Sequence, residues 1–157
     1  MFVRSRAPII EGAEILPDQR ELIAAFGGQP PDPQQDHPLI PLARALAELH
    51  RRRHTDPLTV AGIDCRRAEL VTAIDNWVCA RVPMNRSTAH IRTEPIGATV
   101  DRMAAAHSHA SYLLHTAEKV SDTRVHTAWY RLALLVDQWT DLITGYTQTS
   151  SPARRSA

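Results

Sequence analysis

The sequence predicts an all-α protein: an antiparallel four-helix bundle preceded by a proline-rich N-terminal arm. Three observations carry this reading. From Leu39 to Tyr146, apolar residues recur at helical spacing. Prolines 57, 83 and 95 stand where one stripe gives way to the next. A chain of 157 residues is also long enough to form one domain with a substantial core.

Residues 1–37 read as a separate arm, with prolines at 8, 17, 30, 31 and 33. One short helix is expected within it, from Pro17 or Asp18 to Phe26. Leu22, Ile23 and Phe26 form its small apolar edge, and Gly27 is its stop. The stretch from Gln29 to Asp36 reads as an extended polar linker.

The first long helix is predicted to start around Pro38–Pro41 and to run to about His54, on the line Leu39, Leu42, Leu46, Leu49. Thr55-Asp56-Pro57 closes it, because the residue before a proline avoids the α region. The second spans roughly Ile63 to Arg81, with the seam Ile63, Arg67, Leu70, Ile74, Trp77, and Pro83 marks its exit. Residues 83–92 read as a loop.

The third long helix opens near Thr93, read as its N-cap, with Glu94 and Pro95 suited to a first turn. Its seam runs Ile96, Val100, Met103, His107, Leu114, and Gly97 with several alanines permits a close neighbour. The fourth begins after Ser121 or Asp122 and carries Val125, Trp129, Leu132, Val136, Trp139 and Ile143. The bundle is thus expected over residues 38–147, followed by a flexible Ser/Thr/Arg tail at 148–157.

Composition narrows the function classes. Basic residues number 18 and acidic ones 17, and the Arg51–Arg53 and Arg154–Arg155 runs are short, so nucleic acid is not an expected partner. No stretch is long and apolar enough to suggest a membrane span. Cys65 and Cys79 share one predicted helix, where about 21 Å would separate their Cα atoms, so they are not expected to pair. A reduced, cytoplasmic setting is the expectation.

Two residues break the stripe. Arg67 and His107 fall on apolar faces, and Asp64, Asp75, Glu94 and Asp101 are the carboxylates within reach. One reading makes them a polar site between the second and third long helices, with Arg67 anchoring a small anionic ligand and His107 moving a proton. The plainer reading has Arg67 reaching the edge with its charged tip and His107 sitting neutral and satisfied. No reaction motif chooses between these readings, so enzyme status stays open.

No metal and no cofactor are expected. His50 and His54 share the spacing of a helical chelate, but three arginines lie between them. His107, Ser111 and His115 share a face, but two histidines separated by two turns do not chelate one ion unaided, and His115-Thr116-Ala117-Glu118 reverses the di-iron Glu-x-x-His order. There is no glycine-rich phosphate loop. The exposed start of the third helix, with Arg92 nearby, is the remaining place for a small anion. Three tryptophans, Tyr112, Tyr130 and Tyr146, and the apolar residues of the arm supply surface for a homodimer, through helices or exchanged arms.

The segment Ile91-Arg92-Thr93-Glu94-Pro95-Ile96-Gly97-Ala98-Thr99-Val100-Asp101-Arg102-Met103 resembles the start of the long helix in a bacterial family known as a domain of unknown function, number 4254. Arg66-Arg67-Ala68-Glu69-Leu70 and Ile74-Asp75-Asn76 resemble the same family's Arg/Asp/Asn-rich helix. The likeness covers about residues 39–146 and is closest to the shorter, actinobacterial form. It implies a helical, soluble protein and transfers no catalytic residue. A binding or assembly module is the favoured function, and an enzyme or small-anion binder is the alternative.

Overall fold

The computed structural model describes residues 16–56, 59–82, 95–119 and 121–149, with side chains through 145. All secondary structure among them is helical: α1 (Gln19–Phe26), α2 (Ile40–Thr55), α3 (Val60–Arg81), α4 (Ile96–Thr116) and α5 (Thr123–Thr149). Thr93, Glu94, the 83–92 connector and the Tyr146 side chain fall outside the described residues, as do the arm before residue 16 and the tail beyond 149.

Each helix starts for a local reason. Asp18 caps α1 by accepting the Glu21 amide at 2.9 Å, while the Glu21 carboxylate returns to the Asp18 amide at 2.8 Å. Gly28, with φ of 80°, then turns the chain away. Pro41 sits in the first turn of α2, where its missing N–H is no loss. Asp122 opens α5, its side chain accepting the Arg124 amide at 2.9 Å.

The third long helix starts later than its sequence suggests. The described helix begins at Ile96, with Pro95 in extended conformation at the N-cap and no side-chain cap of its own. Asp75 of α3 takes over that task, accepting the Gly97 amide at 2.8 Å. Gly97 is needed there. A Cβ on it would stand 2.5 Å from the Val71 carbonyl oxygen and 2.9 Å from Asp75 Oδ1.

Cross-helix contacts set the helix directions. His37 meets Trp77 while Arg53 meets Asp64, so α2 and α3 run antiparallel. Arg67 meets Asp101 while Asp75 meets Gly97, so α3 and α4 do too. Arg102 meets Gln138 and His107 meets Trp129, which reverses α5 against α4. Among the described residues, α4 packs on all four other helices, whereas the α5 backbone approaches only α1 and α4.

The short helix α1 fills the space that α5 leaves beside α2. Leu22 and Phe26 are fully buried, and Leu16 and Ala25 join the same core cluster as Leu46, Ile74, Val100 and Trp139. The Trp139 indole N–H donates to the Pro17 carbonyl at 2.9 Å in the interior. Arg51 of α2 donates to the Phe26 carbonyl at 2.7 Å, placing a cation at the C-terminus of a helix with no basic residue in its own last turn. Among the described residues, Leu16 and the apolar edge of α1 therefore belong to the same core as the long helices.

Candidate functional site

Five of the six candidate residues are described, and they fall in four places. Asp101, on α4, is the centre of the first. Its Oδ1 stands 2.8 Å from His50 Nε2 and its Oδ2 stands 3.8 Å from an Arg67 guanidinium nitrogen. A carboxylate only accepts, so His50 presents an N–H at Nε2. One carboxylate thus ties α2 and α3 to α4. His50 is 7% exposed, and the side chains of Asp101 and Arg67 are 16% and 35% exposed. The Arg67 tip reaches the edge of the interface, as its long apolar stem allows.

Asp64 and Asp75 serve other partners. Asp64 accepts from Arg53 at 2.9 Å, a second tie between α2 and α3. Asp75 holds the Gly97 amide, so its carboxylate already occupies one of the amides that a small anion at the start of α4 would use. Glu94 is among the residues outside the description.

His107 lies apart from Arg67. It is six residues beyond Asp101, which places it about 120° around α4. There its ring packs 5.9 Å from the Phe26 ring and 6.2 Å from the Trp129 ring. Burial pushes its pKa below the ordinary 6.5, and the nearby Arg51 pushes it the same way. Its neutral form is thus favoured in an aromatic setting, and its ring neighbours, Phe26 and Trp129, differ from the carboxylate that Arg67 meets.

Sequence reasoning missed His50 as a partner of Asp101. The available signal was its place on the line Ala43, Leu46, Ala47, His50, all of them buried. A related cluster follows one turn later. The His54 ring stacks on Tyr112 at 4.8 Å and lies 6.3 Å from His109. Burial lowers the His54 pKa, with His109, His50 and Arg53 adding repulsion. No group of three or more metal-ligating side chains converges among the described residues. An open cavity of about 270 Å³ lies elsewhere, lined by Glu21, Asp32, Asp36 and Arg44 among others.

A different surface stands out on the α4–α5 hairpin. The large apolar side chains exposed among the described residues are Tyr112 and Leu114 on α4 and Trp129, Tyr130 and Leu134 on α5. Leu114 and Trp129, expected in the seam, stand at its end, where among the described helices the α5 backbone approaches only α4 and α1.

The profile of the family described as protein of unknown function (DUF4254) matches residues 57–153. The chain belongs to that family. The DUF4254 match takes in α3, α4 and α5, and with them Arg67, Asp75, Asp101, His107 and the exposed aromatic residues. Helices α1 and α2 precede it, so His50 and Arg51 reach the family segment from outside it. No curated protein and no solved structure matches the chain.

Proposed function

We propose that this protein is a binding and assembly module that works as a homodimer, with a second copy docked on the outer side of the α4–α5 hairpin. The observation that carries the reading is the exposure of Tyr130 and Leu134 one turn apart on α5, with Tyr112, Leu114 and Trp129 exposed elsewhere on the same hairpin. Exposed apolar and aromatic groups scattered singly need no explanation, but a group concentrated on one supersecondary unit is the composition of an interface core. In this reading α2 to α5 form an antiparallel four-helix bundle that α1 completes, and α5 is the helix left open to a partner. A cytoplasmic setting belongs to the same proposal. It is supported by Cys65 and Cys79, which are exposed, free thiols.

The alternative, an enzyme or small-anion site on Arg67, has less support. Asp101 already meets the guanidinium, and the proton-transfer partner His107 faces Phe26 and Trp129. Hydrogen–deuterium exchange at rising protein concentration separates the two. Assembly on the hairpin predicts concentration-dependent protection at 112–134, with no change across α2 and α3. Protection that is independent of concentration on the hairpin, together with protection of α3 on adding inorganic phosphate, would favour the anion site.

A further inference from the structure

The solvent side of α5 has a symmetry that specifies how a second copy would sit. Val125, Leu132 and Trp139 are buried and define the inner line of the helix. Leu134 is two residues past Leu132, about 200° around the helix, and so points outward. Tyr130 precedes it by one turn and is 65% exposed. Arg131 and Asp137 flank Leu134 at three residues on either side, both exposed. The outer face of α5 therefore reads basic, apolar, acidic about a centre at Leu134.

We infer that α5 pairs with α5 of a second copy in antiparallel orientation, about a two-fold axis at Leu134, with Arg131 of each copy facing the partner's Asp137. The inference rests on the self-association reading above and adds its geometry. A two-fold axis makes an interface from the same patch used twice, so the patch must complement itself. About Leu134 it does. The two Leu134 side chains meet at the axis, and each Tyr130 extends the apolar contact by one turn. Each Arg131 meets a carboxylate. Two helices in contact lie ~8–10 Å apart, a gap that the long Arg131 side chain spans to reach the shorter Asp137 carboxylate from a flanking position.

Parallel pairing of the same faces is disfavoured by the same charges. It would set Arg131 against Arg131 and Asp137 against Asp137, two like-charge contacts in place of two attractive ones. An exposed ion pair adds little affinity, but like-charge opposition selects strongly against the wrong arrangement.

Charge exchange tests the pairing. Arg131→Asp and Asp137→Arg are made separately, and the mass of each is measured by light scattering, alone and after equimolar mixing. Either substitution alone places like charges at both flanking contacts. The expected result is dissociation constants weakened by roughly tenfold or more for each. The mixture is expected to recover dimers. At one flanking contact the carboxylate introduced by Arg131→Asp meets the guanidinium introduced by Asp137→Arg, and at the other the native charges meet. Native mass spectrometry should show those dimers to be mixed. If the wild type is a dimer and the single variants dimerise as well as it does, the α5 pairing is overturned while self-association through another part of the hairpin stands. If the variants are monomeric and their mixture is too, the pairing is likewise overturned. A monomeric wild type overturns the self-association reading itself.

Discussion

Asp75, on α3, holds the backbone amide of Gly97, on α4, at 2.8 Å, and the absence of a side chain on Gly97 lets the two helices meet there. Gly97→Ala puts a methyl 2.5 Å from the Val71 carbonyl oxygen, which belongs to rigid helical backbone. The helices must part to accept it. Overpacking of this kind costs about 1–3 kcal/mol, so a clear fall in melting temperature is expected. An unchanged melting temperature would mean that the contact is looser than described.

Asp75→Ala removes the cap without adding bulk. The Gly97 N–H loses its acceptor at the start of a helix with no side-chain cap of its own. A loss of about 1 kcal/mol is expected, in the range for N-cap removal. Asp75→Asn retains an acceptor oxygen and should recover part of it. Equal losses for the two substitutions would argue against a capping role.

Substitutions at α1 and its contacts test whether it belongs to the core. Phe26→Ala deletes a fully buried ring that also packs on His107, and it should cost about 3–5 kcal/mol. Trp139→Phe keeps an aromatic ring but leaves the Pro17 carbonyl without its donor, with an expected loss of about 1–3 kcal/mol. Denaturant melts measure both. Effects below the error of the melt would return α1 to the status of a dispensable arm.

Acid should weaken the fold through two histidines. The pKa of His107 is lowered first by burial and then by Arg51, and that of His54 by burial and then by His109, His50 and Arg53. The unfolded chain therefore takes up these protons more readily than the folded one. The stability tied to their neutral forms is present above the ordinary value of 6.5 and is lost as pH falls below it. Replacing His107 with Phe should reduce the drop in melting temperature between about pH 7 and pH 5 relative to wild type. Identical pH profiles for the two proteins would contradict the burial of His107.

The helices were legible because periodicity is a local property. The stripes Leu39–Leu49, Ile63–Trp77 and Val125–Ile143 each sit on the helix expected of them. The role of α1 was not legible in this way. Leu22 and Phe26 make a short apolar edge that suits either a surface arm or a core helix, and the choice depends on the gap beside α5. The candidate site shows the same division. Asp101 was legible as a carboxylate for Arg67, whereas His50 joined it through a contact between residues 51 positions apart. His107 was legible as an exception on its stripe. Its aromatic neighbours come from α1 and α5, which no spacing within α4 reveals.

The open side of the α4–α5 hairpin, with Tyr130 and Leu134, is the proposed docking place of a second copy. Sedimentation equilibrium of the wild-type chain against Leu134→Arg tests it most directly, because Leu134 is exposed and its replacement leaves the core untouched. The expected result is a mass rising from one chain of 17.5 kDa toward two as the wild-type concentration increases, and a single-chain mass throughout for the variant. A wild type that stays at one chain across the micromolar range, or a Leu134→Arg variant that dimerises equally well, would contradict it.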